Sequence, residues 1–156
     1  MDIAHSYRNK RALITGGLGF IGSNLARKLL DLGVEVTILD NADPATGANP
    51  FNLDGIRQQV KVIEADIQDE AKVKEAVQGQ DFLFNLAGEM SHLGSMQDPF
   101  KDPNVNAVGQ LKLLEICRMN NPSVRIVFAG TRQVYGRPSY LPVDEKHLLT
   151  PLDNNG

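Results

Sequence analysis

An α/β fold built on a doubly wound parallel sheet of about five strands, in the order 3-2-1-4-5, is the architecture that this 156-residue sequence predicts. Three observations lead there. Short apolar runs rich in branched residues alternate with segments of helical period. Those runs are apolar on both faces, as strands covered on two sides are. A glycine-rich turn joins the first run to the first helical segment.

The elements follow in order. Arg11 to Thr15 (RALIT) is the first strand, and Phe20 to Leu32 a helix with Ile21, Leu25, Leu29 and Leu32 at helical spacing, ended by Gly33. Val34 to Leu39 is the second strand. Asn41 to Asn52, punctuated by Pro44 and Pro50, is a loop, followed by a short helical segment and a third strand at Val60 to Glu64. Asp69 caps a helix running through Val77, Gly79 closes it, and Asp81 to Leu86 is the fourth strand. Pro103 begins the next helix, with Val108, Leu111, Leu114 and Cys117 on one apolar face. Val124 to Ala129 is a fifth strand buried on both sides, and from Gly136 onward the chain is loop.

Composition narrows the function classes. A hydrophobic content of 42% over this length supports one globular domain. The 16 basic and 19 acidic residues are scattered, with no basic run to track a phosphate backbone, so nucleic acid is not an expected partner. No apolar stretch nears the roughly 20 residues that cross a bilayer, and the polar start lacks a signal-peptide core. No membrane association and a cytoplasmic location are expected. The single cysteine, Cys117, lies in an apolar helical stretch, which points to a buried thiol rather than a nucleophile. No metal site is expected.

The turn after the first strand reads TGGLGFIG, Thr15 to Gly22, with Gly16, Gly19 and Gly22 spaced three apart. A strand feeds it and an amphipathic helix leaves it, the context that a dinucleotide-binding, Rossmann-type turn requires. Gly16 permits the tight turn, Gly19 lets a pyrophosphate approach the backbone, and Gly22 lets the helix pack on the strand. Phosphates would sit at the helix N-terminus, where the N–H groups of residues such as Phe20 and Ile21 and the positive end of the dipole favour an anion. Asp40, roughly 20 residues beyond the glycines, is placed to accept hydrogen bonds from the adenosine ribose and would repel a 2′-phosphate. No Arg or Lys stands in Asn41-Ala42-Asp43 to offset that repulsion, so NAD is favoured over NADP.

At this point the chain resembles the extended short-chain dehydrogenase/reductase family, the NAD-dependent nucleotide-sugar epimerases and dehydratases of the UDP-glucose 4-epimerase kind. The resemblance runs through TGGLGFIG, LDN at Leu39 to Asn41, ADI at Ala65 to Ile67, NLAG at Asn85 to Gly88, Asn106 with LLE at Leu113 to Glu115, and TRQVYG at Thr131 to Gly136. It implies a nucleotide-sugar substrate, and implies that Asn41 belongs to the cofactor site, Asp66 and Ile67 border the adenine, Ala87 and Gly88 line the cofactor, and Asn106 braces the cofactor loop. Glu89, Ser91 and His92 leave the same crevice. Thr131 matches the residue that hydrogen-bonds the sugar hydroxyl being oxidised. Dehydrating members usually carry acidic side chains next, whereas Arg132 and Gln133 cannot serve as a carboxylate acid and base, which favours epimerisation or carbonyl reduction.

The family's tyrosine, followed four residues later by a lysine, aligns at Asn155, and an amide is no base. Tyr135 and Tyr140 are the phenols nearby, neither assigned the role. Residues 1–156 are therefore expected to be an incomplete NAD-binding domain without the C-terminal substrate domain, inactive alone. The alternative is a non-catalytic NAD-binding or sensor module. The family dimer pairs the helix around Leu111 to Met119 with one expected after Asn155, so weak self-association, at most a homodimer, is expected.

Overall fold

The computed structural model describes residues 3–89 and 98–152. Five strands form one parallel sheet in the expected order: β1 (Arg11–Thr15), β2 (Glu35–Asp40), β3 (Val60–Glu64), β4 (Phe82–Asn85) and β5 (Arg125–Phe128), arranged β3-β2-β1-β4-β5. In register, Thr15 at the end of β1 stands between Leu39 of β2 and Asn85 of β4. The helices are α1 (Ile3–Tyr7), α2 (Phe20–Asp31) and α3 (Glu70–Val77). A longer helix, α4, runs in three continuous pieces: Lys101–Pro103, a π-helical Asn104–Gly109, and Gln110–Asn120. Among the described residues no helix is long and apolar enough to cross a membrane.

Alternation along each strand sorts its side chains to two cores. Ala12 and Ile14 of β1, Val36 and Ile38 of β2, and Phe82 and Phe84 of β4 face one side, where they pack with Ala26 and Leu29 of α2. Leu13, Leu39 and Leu83 face the other, with Val73 and Val77 of α3 and Leu113 and Cys117 of α4. Helices on both faces are what make near-continuous apolar strands stable. Burial pushes the Cys117 thiol pKa up, so the thiol stays protonated among its apolar neighbours. Asp69 caps α3 through its side chain, which accepts from the Lys72 N–H, and Gly79 leaves that helix at φ +69. α1 lies in the stretch read as a polar start.

Three expectations need correction. The helix expected from Pro103 starts at Lys101. Pro103 sits in its first turn, where the missing N–H has no helical partner to lose. The apolar face expected of Val108, Leu111, Leu114 and Cys117 is not the buried one: Leu111 is 68% exposed and Val108 and Leu114 are each close to half exposed, while Gln110, Leu113 and Cys117 are buried. Both sets have helical spacing, and a polar residue at 110 hid the true face. The fifth strand is not covered on both sides either. All four residues of β5 are exposed, because it lies at the sheet edge and the described chain beyond it makes a 3-10 turn, Arg132–Tyr135, and loop instead of a covering helix.

The two faces of α4 separate in a stability measurement. Leu113→Ala is expected to cost about 2–5 kcal/mol in urea unfolding, as cavity-forming core truncations do. Leu111→Ala should stay within about 0.5 kcal/mol of wild type. Equal losses at the two positions would mean that α4 is rotated from the orientation described.

Candidate functional site

β1 ends at Thr15, and the chain must reverse at once into α2. Gly16 does so at φ +71, with its α-carbon so close to the β4 exit that a Cβ would stand 3.0 Å from Ala87 N. A Cβ on Gly22 would collide with the carbonyl oxygen of Gly16, so helix and turn can approach this closely only with hydrogen there. Gly19 differs. Its φ of −76 suits any residue, and a Cβ would meet only the Gly16 carbonyl oxygen, at 3.4 Å. The fold does not demand a glycine at 19; its bare face opens outward. Gly19 is also the N-cap of α2 and offers no side-chain hydrogen bond to the first turn. The first turn of α2 carries no acidic side chain, so the partial positive charge of that terminus is not offset from within the helix. The side chains of Phe20 and Ile21, exposed by 80% and 65%, point away to solvent, so only their backbone serves the turn.

Asp40 closes the turn from the neighbouring strand. Its buried carboxylate accepts from Leu18 N and Ala42 N, each at 2.9 Å, one bond per oxygen. Each oxygen keeps lone-pair capacity for a further donor. Beside it, Asn41 donates to Asp66 Oδ2 at 3.0 Å and accepts from Asp43 N, while Asp66 Oδ1 accepts from Gln68 N. These bonds tie the exits of β2 and β3 together. Ile67 is buried in the core just below.

On the other side of β1, a buried polar chain fixes the β4 exit. Thr15 Oγ1 donates to Asn85 Oδ1 at 2.8 Å and accepts from Leu86 N and Ala87 N. Asn85 donates to Gln110 Oε1 at 2.6 Å, and Gln110 donates back to Ala87 O at 3.0 Å. One π-helical turn earlier, Asn106 Oδ1 accepts from Glu89 N and its amide donates to Glu89 O and to Asp102 Oδ1. Asn106 thus holds both backbone groups of the residue after Gly88. Glu89 is buried, and its carboxylate meets Lys101 Nζ at 2.7 Å, while Asp43 reaches the same ammonium at 3.8 Å. The Glu89 hydrogen bond raises the Lys101 pKa, so the ammonium stays charged.

These walls enclose a cleft of about 280 Å³ that brings together Gly16, Asp40, Asn41, Asp66, Ile67, Ala87 and Gly88. Gly19, Phe20, Ile21, Gly22 and Asn106 stand behind that lining as turn and support. Thr131, beyond β5, caps the turn Arg132–Tyr135, its hydroxyl accepting from Gln133 N at 3.3 Å. It is not in the cleft wall. Asn155, Ser91 and His92 lie outside the described residues.

Several participants carry no assigned role in the sequence reading: Thr15 and Asn85, which appear there as the first residues of their motifs, and Gln110 and Lys101, polar residues whose signal was their placement inside or at the start of an apolar helix. A second unread cluster holds the loop after Gly136. Buried His147 accepts from Ser139 N at its Nε2, 2.9 Å away, with Nδ1 2.9 Å from Leu148 O, and contacts the rings of Tyr135 and Tyr140. Tyr140 donates to Asp144 at 2.7 Å, which raises the phenol pKa, the direction opposite to what a proton acceptor needs.

The sequence matches the family described as GDP-mannose 4,6 dehydratase over residues 13–154. It is 36% identical over 147 residues to a putative UDP-glucose 4-epimerase of Methanocaldococcus jannaschii, a match covering 92% of this chain and 46% of that protein. The fold superposes with a TM-score of 0.75 on the UDP-glucose 4-epimerase of Thermus thermophilus in complex with NAD, at 35% identity, over 90% of this chain and 44% of the other. It superposes at 0.79 on the UDP-N-acetylglucosamine 4-epimerase of Methanobrevibacter ruminantium in complex with UDP-N-acetylmuramic acid, at 31% identity, over 93% and 45%. The chain spans under half the length of these relatives.

The glycines of the turn are expected to behave differently on substitution. Gly22→Ala should destabilise by about 1–3 kcal/mol through overpacking against Gly16, and Gly19→Ala by about 1 kcal/mol or less, as a change of N-cap residue does. Thermal unfolding of both variants checks this; a Gly22→Ala protein as stable as wild type would contradict the collision.

Proposed function

Because the chain belongs to the GDP-mannose 4,6 dehydratase family, we propose that it forms the NAD-binding portion of a nucleotide-sugar epimerase or reductase working through transient hydride transfer. The observation that carries this is the cleft lined by Gly16, Asp40, Asp66, Ala87 and Gly88, whose Gly16 opens the turn that leads through Gly19 into the N-terminus of α2. The residues present fit a dinucleotide. The N–H groups of Phe20, Ile21 and Gly22 hold the diphosphate, and the spare lone pairs of Asp40 accept from the adenosine ribose. Asp66, kept in place by Asn41, borders the adenine with Ile67. Ala87 and Gly88 line the path beyond β4, and Asn106 keeps their loop from moving.

Bound there, NAD supplies the acceptor for a hydride from a sugar carbon and returns it. Thr131, at the carboxyl end of β5, orients the hydroxyl that is oxidised. Arg132 and Gln133 supply no carboxylate for elimination of water, which favours epimerisation or reduction over dehydration. Among the phenols, Tyr140 is committed to Asp144 and stays protonated. The chain alone is expected to bind NAD and to turn over little or no sugar, since it spans under half the length of its relatives.

Calorimetric titration with NAD tests the reading. Saturable binding is expected for wild type, and loss of about tenfold or more in affinity for Asp40→Ala, on the scale of a charge-assisted hydrogen bond. A wild-type chain that stays folded and binds no NAD would overturn it. Self-association is the companion expectation: Val108, Leu111, Leu114 and Met119 leave an apolar stripe exposed on α4. Light scattering should show a concentration-dependent rise in mass that Leu111→Glu abolishes; a constant monomer mass would remove the dimer.

A further inference from the structure

We propose that Lys101 is the cation through which the cleft accepts an anionic dinucleotide: its ammonium, anchored on buried Glu89, gives up its longer contact with Asp43 and turns to the diphosphate. This rests on the assignment of the cleft to NAD. Among the described residues that line the cleft, five are carboxylates, Asp40, Asp43, Asp66, Asp98 and Glu89, and Lys101 is the one cation. A diphosphate adds negative charge to that setting. The α2 terminus offers only about half a positive charge, and the Lys101 ammonium is the full positive charge among the described lining residues that adds to it.

The position of Lys101 suits that task. Asp43 follows β2 and Glu89 follows β4, and these strands flank β1 on either side. The ammonium therefore joins the two walls across the turn that leaves β1 at Gly16. A dinucleotide lying along the carboxyl ends of such a sheet passes from one half to the other across this line. The two contacts are unequal. The Glu89 side chain is 4% exposed and 2.7 Å away, whereas that of Asp43 is 34% exposed and 3.8 Å away. A half-exposed pair at that distance is worth little, while breaking a 2.7 Å contact to a buried carboxylate costs more. The Asp43 contact is the one that yields, and Glu89 keeps the lysine aimed at the cleft.

The test titrates wild type, Lys101→Met, Lys101→Arg and Asp43→Asn with NAD, ADP-ribose and adenosine, at low and high salt, with thermal unfolding as a check of folding. Lys101→Met is expected to lose about tenfold or more toward NAD and ADP-ribose, to flatten the salt dependence, and to hold adenosine within about twofold. Lys101→Arg should retain most of the affinity, and Asp43→Asn should gain. Lys101→Met that binds NAD as well as wild type, or better, overturns the proposal, because the lysine would then only obstruct the cleft. Equal losses for adenosine and ADP-ribose overturn it as well, by showing a merely structural role. Wild type that binds none of the three removes the NAD assignment itself and this inference with it.

Discussion

Thr15 and Asn85 meet at the carboxyl ends of adjacent strands, both fully buried, and the 2.8 Å hydrogen bond between them constrains most of what lies above the sheet. Two polar side chains in an apolar interior must find every partner or cost stability. Asn85 completes its set with Gln110, which draws a polar residue of α4 into the core and so sets the rotation of that helix. With that rotation fixed, Leu113 and Cys117 turn inward and Asn106 falls beneath Glu89. Thr15 meanwhile takes the N–H groups of Leu86 and Ala87, which presses the β4 exit against Gly16. Glycine at 16 is thus a consequence of the polar seam as much as of the turn.

The two sides of β1 are built on different principles. On the β2 side the cleft wall is made by bonds within and between the loops that follow β1, β2 and β3: Asp40 to Leu18 and Ala42, Asn41 to Asp43 and Asp66, Asp66 to Gln68. On the β4 side it is made by bonds from Thr15 and from α4. A network in which every buried member is satisfied is rigid. The cleft is therefore preorganised on one side by its loops and on the other by its helix.

The glycine roles at 16 and 22 and the Asp69 cap were legible because each answers a steric or hydrogen-bonding demand within a few residues, whereas strand order followed from the alternation of apolar runs with helical segments and the place of Asp40 from its spacing beyond the glycines. The buried face of α4 was not legible. Its core position 110 is glutamine, justified by Ala87 and Asn85, partners 23 and 25 residues away, and periodicity counts glutamine as surface. β5 was misjudged for a related reason: Arg125 to Phe128 is apolar enough for a central strand, but burial depends on which elements pack beside it. Within the site, the glycine turn and the aspartates announced themselves by spacing, whereas Lys101 and Glu89 form their pair only once β2, β4 and α4 are assembled.

The strand order also sets a sequence of events in time. β1 lies at the centre of the sheet, yet its two neighbours are made far apart: β2 follows directly, while Asn85, the partner of Thr15, comes 70 residues later. At ribosomal rates of about 5–20 residues per second, that separation leaves one edge of the central strand bare for roughly 4–14 s while the chain is being synthesised. Once β2 is complete at Asp40, and for the rest of that interval, Ala12 to Thr15 present unpaired backbone groups on the side away from it, the kind of edge on which another nascent chain can add. The polar residue at the end of β1 then has a second meaning: until Asn85 emerges, Thr15 keeps that edge less apolar than a valine would.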